Sequence, residues 1–126
     1  MLQLNVEDLE AAETIIVKLT QEAQYPQELA SLSRGEDISK SSKIMSLSPF
    51  LDSKGLLRMS SRSQTGVSFQ EENPLIIPKS ILGELILKHY HEQSYHPGSN
   101  NTVSLARQAG YWVIGAPSLA RSLVFR

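Results

Sequence analysis

Apolar residues recur at helical spacing near the start of the chain: Val6, Leu9, Ile16, Leu19 and Ala23, with Ile15 widening the stripe. Glu7, Glu10, Glu13, Lys18 and Gln21 stand outside it, so the segment predicts one amphipathic helix. Asn5 is its expected cap, and Glu7 and Asp8 fall in the first turn, where acids complement unpaired amides and the positive end of the helix dipole. Tyr25-Pro26 interrupts the period. Pro26 suits the first turn of a second short helix, Gln27 to Ser33, and Arg34-Gly35 is its expected stop.

Residues 38–43 lose the period and read as a serine- and lysine-rich loop. Ile44-Met45-Ser46-Leu47 and Gly55-Leu56-Leu57-Arg58-Met59 then flank Asp52-Ser53-Lys54-Gly55, a turn tetrapeptide with an acid first and glycine last, which predicts a β-hairpin. Residues 60–73 are polar and predict a mobile loop. Leu75-Ile76-Ile77 lies between Pro74 and Pro78, which suits an edge strand or extended segment better than a central strand.

Ser80 can cap a helix with Ile81, Leu82, Leu85, Ile86 and His89 on its apolar face, ended by Pro97-Gly98. Thr102 is the expected cap of Val103 to Ala109, and Gly110 its stop. Tyr111-Trp112-Val113-Ile114 reads as a compact apolar connector, and Pro117 opens a last helix carrying Leu119, Ala120, Leu123 and Val124. Trp112 is expected in the core of this region, beside Leu105 and Leu123.

A chain of 126 residues with 40% hydrophobic content can enclose one modest core. Its net charge of −1 excludes a uniformly basic, histone-like protein. That balance conceals a division: residues 1–37 hold eight acids and two bases, whereas 38–126 hold ten bases and five acids. The absence of cysteine excludes disulfides, a thiol nucleophile and any thiolate zinc ligand from this chain alone. No signal-peptide pattern or membrane-length apolar run is present, so an intracellular chain is expected.

The densest chemistry is His89-Tyr90-His91-Glu92-Gln93-Ser94-Tyr95-His96, which holds all three histidines. On a helix His89 and His91 point to opposite sides, while His89 and His96 lie ~10 Å apart along the axis. His91 and His96 can converge on a metal if the helix ends near Ser94 and Pro97-Gly98 folds the chain back. The alternative is a histidine-rich helix end, with His89 half-buried beside Leu85 and the others solvated. Lys79, Lys88, Arg107, Arg121 and Arg126 are candidate phosphate contacts, with solvated surface cations the alternative. Asp52 reads as a turn former rather than a catalytic acid, and Asn100-Asn101-Thr102 as a helix start rather than a glycosylated site. No nucleophile triad or glycine-rich phosphate loop stands out.

The segments Pro49 to Arg58, Asn73 to Lys79, Leu85 to Glu92 and His96-Pro97-Gly98, followed by Gly110-Tyr111-Trp112-Val113-Ile114, together resemble BEL/Pao-type retrotransposon integrase in order and spacing. The resemblance covers nearly the whole chain. It implies the region leading into and including a His-His-Cys-Cys zinc-binding module, a small helical unit ahead of a separate catalytic core. The two histidines carry over as His91 and His96. The cysteine pair is expected directly after the last helix, where the sequence stops at Arg126, so weak or no zinc binding is expected of this chain. Ser60-Ser61 stands where the family has paired glycines, and Asn73 where it often has histidine.

These readings combine into an α+β, mostly helical chain: an acidic helical arm (1–37), a small β-hairpin with an extended linker (38–79), and a three-helix remnant of the zinc module (80–126). The resemblance implies a non-catalytic fragment contributing to DNA binding and integrase self-association during DNA integration. The implied location is intracellular, the nucleus included, with neither a membrane nor a small-molecule substrate as partner. The rival expectation is a metal-free interaction module using the Val6 to Ala23 helix, or a decayed retroelement remnant.

Overall fold

A computed structural model describes residues 6–60, 73–92 and 99–124. The Asn5 cap, most of the polar stretch, the His96-Pro97-Gly98 turn and Arg126 lie outside the described residues. The described chain is α+β and mostly helical: α1 (Val6–Gln24), α2 (Pro26–Ser33), β1 (Pro49–Leu51), β2 (Leu57–Met59), β3 (Leu75–Ile77), α3 (Ile81–Glu92), α4 (Ser99–Gln108), β4 (Tyr111–Val113) and α5 (Ala116–Val124). The strands form one sheet in the order β1-β2-β3-β4. The hairpin β1–β2 is antiparallel, as is β2–β3, whereas β4 runs parallel to β3 with α3 and α4 in the crossover.

Alternation along the strands separates two cores. Leu75, Ile77 and Val113 face one way, meeting Leu87, Val103, Ala106, Ala116 and Ala120 from α3 to α5 and Val17 from α1. Ile76 and Trp112 join Leu57 and Met59 in the other, covered by Tyr25, Ile38, Ile44 and Leu47, with Leu29 and Leu32 of α2 packed against it. Trp112 is therefore buried, but in the core that α2 covers, which does not include the expected neighbour Leu105; the side chain of Leu123 lies outside the described residues.

Local signals hold at the hairpin turn. The Asp52 carboxylate accepts the Lys54 and Leu56 N–H groups, each at 2.9 Å, and Gly55 takes the positive φ of 79° that closes the turn. The first strand lies later than expected, at Pro49–Leu51. Ile44 and Leu47 are instead buried across a 3-10 turn, Met45–Leu47, and Ser48 at φ 47° redirects the chain into β1.

The segment expected at an edge is central. Leu75, Ile76 and Ile77 are all buried, β2 pairs on one side and β4 on the other. Pro74 and Pro78 fall just outside those three residues, so neither withholds a ladder N–H from the strand. The apolar connector at 111–114 is largely strand: Tyr111–Val113 pairs with Leu75–Ile77 residue for residue. A run buried on both faces is typical of parallel pairing.

Two helices are rotated from their expected faces. Among the described side chains of α1, Val17 and Gln21 are the buried ones, while Ile15, Ile16 and Leu19 are 60%, 50% and 61% exposed. The reason is visible between β2 and β3. Their single paired rung joins Arg58 and Leu75, which would next set Leu57 opposite Ile76. The Gln21 amide occupies that gap: Nε2 donates to Leu57 O at 3.1 Å and Ile76 O at 2.8 Å, and Oε1 accepts the Leu57 N–H at 2.8 Å. In α3, Gly83 and Leu87 are buried, while Ile81 and Leu85 are 76% and 58% exposed. Gly83 sets that orientation, because a Cβ there would stand 2.9 Å from Val113 Cγ1 and 3.3 Å from the Pro78 carbonyl.

Candidate functional site

Ser80 begins the histidine-bearing helix as its side chain suggests: Oγ accepts the Gly83 N–H at 3.3 Å and donates to the Pro78 carbonyl at 2.8 Å. The last turn of α3 carries His89 and His91. His89 is exposed rather than half-buried and meets the Tyr90 ring edge-on, with centroids 4.9 Å apart. His91 turns toward α4, where Nδ1 lies 3.4 Å from Thr102 Oγ1. Thr102 is buried and does not cap α4. The helix starts earlier, at Ser99, so Thr102 falls within it and faces the histidine.

If Nδ1–H is the donor in this long contact, the His91 Nε2 lone pair remains available to a metal, an orienting role familiar from histidine ligands. The second expected ligand, His96, lies outside the described residues. Among the described residues no group of three or more histidines, cysteines, aspartates or glutamates is placed to hold a metal ion. Those residues do not form a tetrahedral zinc set.

The candidate cations are dispersed over the surface. Lys88 is exposed on α3 and Arg121 on α5, while Arg126 lies outside the described residues. Lys79 leaves the carboxyl end of β3, and its Cδ passes 3.8 Å from where a Cβ on Gly115 would stand. There it shares an open groove of about 860 Å³ with Lys43, the hydroxyl-bearing Ser31, Ser39 and Ser41, and Tyr25. The Ser42 hydroxyl donates to Glu28 at 2.7 Å, tying the wall of that groove to α2. Glu28 lines the same groove and offsets one of the two lysines, which leaves a net single positive charge among hydroxyls to meet an anion such as a phosphodiester oxygen. Lys43 was hidden in the serine-rich loop; its signal was the pair Lys40 and Lys43 bracketing two serines.

Arg107 is less free. Its guanidinium carbon lies 3.9 Å from the centre of the Trp112 ring, Nε is buried without a hydrogen-bond partner, and burial pushes its pKa down. The stack holds a charged plane at the margin of the core, where ring attraction offsets part of the desolvation. On the other face the Tyr111 hydroxyl donates to Glu13 at 2.6 Å. Burial first, then that carboxylate, push the phenol up, so it remains a protonated donor. Burial and the Glu13 charge raise Tyr90 in the same direction.

No helix among the described residues is long and apolar enough to cross a membrane. Comparison with protein families, with curated proteins and with solved structures finds no match to this chain.

Proposed function

We propose that this chain is a non-catalytic DNA-binding module of the retroelement-integrase type, which acts in DNA integration by contacting phosphates and by self-association. The observation that carries the reading is the groove shared by Lys43 and Lys79, two cations from the part of the chain where bases outnumber acids ten to five, set against a wall from α2 that carries the acid Glu28. Lys88 and Arg121 add exposed cations on two neighbouring helices. The three helices following β3 fit the small helical module that the integrase resemblance implies. Zinc belongs to the complete module of that resemblance; this chain contributes His91 and His96. The corresponding location is intracellular, the nucleus included.

The test is fluorescence anisotropy of a labelled DNA duplex across a salt series. Each neutralised phosphate contributes a slope of about −0.9 to the log–log plot, so Lys43→Ala and Lys79→Ala should each weaken binding and flatten that slope by about one. Salt-insensitive binding, or slopes unchanged in both variants, would defeat the proposal.

A further inference from the structure

Helix α1 directs its buried polar side chain at the sheet and its apolar stripe at solvent. Ala12, Ile16, Leu19 and Ala23 recur at intervals of four, three and four residues, and Ile15 widens the row; all five are exposed. That is the a/d spacing by which one helix seats its side chains between those of another. Val17 and Gln21, which fasten α1 to its own sheet, lie on nearly the opposite side, at ~100° per residue. The stripe therefore contributes little to this fold, yet it carries the repeat of a helix-pairing surface.

Charge selects the occupant. Glu22 stands on one border of the stripe, Glu13 accepts the Tyr111 hydroxyl on the side toward the sheet, and Val6–Gln24 holds five acids against one lysine. Two α1 helices face to face would juxtapose ten acids with two lysines, and an anionic membrane would meet the same repulsion. A helix with apolar residues at heptad spacing and lysines or arginines beside them meets both requirements.

We propose that the outward face of α1 is a docking strip for a basic amphipathic helix of another protein. The partner's apolar residues pack on Ile15, Ile16 and Leu19, and its cations meet Glu22 and the net negative charge of α1. This interaction is independent of DNA binding, because it uses none of the lysines of the groove.

The test uses the full chain and two synthetic heptad peptides, one with leucine at the a and d positions flanked by lysine, the other with the same leucines flanked by glutamate, in calorimetric titrations at low and high salt. The lysine peptide should bind and weaken as salt rises, and the glutamate peptide should not bind. The double variant Ile16→Ser/Leu19→Ser should lose about tenfold or more in affinity, with its thermal midpoint held near wild type because both side chains are exposed. Ile81→Ser/Leu85→Ser, on the exposed face of α3, should leave affinity unchanged. Equal binding of both peptides, no binding of the lysine peptide, or equal loss in the two double variants would overturn the proposal. So would a concentration-dependent dimer of the free chain that Ile16→Ser/Leu19→Ser dissolves, since a second copy would then be the occupant.

Discussion

Replacing Gln21 tests the central packing argument. Its fully buried amide serves three main-chain groups, the N–H and carbonyl of Leu57 and the carbonyl of Ile76. Leucine has nearly the same volume and offers none of these bonds, so Gln21→Leu strands all three groups away from water. Each unsatisfied group costs about 1–3 kcal/mol, and with partial relaxation we expect a loss of about 3–6 kcal/mol. That is a large part of the ~5–15 kcal/mol holding a domain of this size together. With a urea dependence of about 1–3 kcal/mol per molar, the midpoint should fall on the order of 2 M. Gln21→Glu separates polarity from shape. A carboxylate can still accept from the Leu57 N–H, but it faces two carbonyl oxygens, so burial and these oxygens raise its pKa in the folded state. Protonated, it can donate to one of them. The deficit of Gln21→Glu should therefore be smallest below the unfolded carboxyl pKa of about 4.3 and grow as pH rises through the raised folded value. Urea titrations followed by circular dichroism across pH measure both variants. A Gln21→Leu midpoint close to wild type, or a Gln21→Glu deficit independent of pH, would refute the reasoning.

Asp52 gives a second pH test. Burial alone would raise its carboxyl, but bonds from Leu56 N–H, Arg58 and Lys54 N–H, with the Arg58 charge, hold it below the ordinary range. Its contribution is present above the unfolded pKa of about 3.9 and is lost as pH falls through the depressed folded value, so thermal midpoints of Asp52→Asn and wild type should differ at neutral pH and converge in acid. Parallel curves would count against this account. Gly83→Ala should destabilise by about 1–3 kcal/mol in denaturant melts despite alanine's helix preference, because the new Cβ meets Val113 and the Pro78 carbonyl. A gain in stability would show that α3 can move outward at little cost. Removing trace metal with a chelator should leave the helical circular dichroism signal intact, since apolar clusters and the Gln21 bonds hold the described elements together; substantial helix loss would show that metal holds the module.

What the sequence disclosed was local. Asp52 and Gly55 specify their turn within a few residues, and Ser80 and Gly110 mark a helix start and stop through side-chain reach or a positive φ of 101°. The mixed, mostly helical class follows from such signals and from the apolar periods. The faces of α1 and α3 do not, because both are decided by distant partners. Gln21 meets residues 36 and 55 positions away. Gly83 is required by Val113, on a strand reached only after α4. Likewise Trp112 has its side of the sheet fixed by the register of β4 on β3. For the candidate site, Lys79, Lys88, Arg107 and Arg121 were legible as cations. Their separation over the surface, the shared groove of Lys43 and Lys79, and the stacking of Arg107 on Trp112 were not.

The amide of Gln21 also divides α1 into two surfaces that heritable change can reach separately. Orientation depends on Gln21, Val17 and the Glu13–Tyr111 bond, so substitutions at residues 12, 15, 16, 19 or 23 do not disturb the attachment to the sheet. Drift along the outer row can retune or abolish a contact while the inner row keeps the helix in place, whereas loss of Gln21 affects both at once. The helix thereby gains an evolutionary freedom that one buried by its apolar stripe lacks: its exterior can diverge without first endangering the domain.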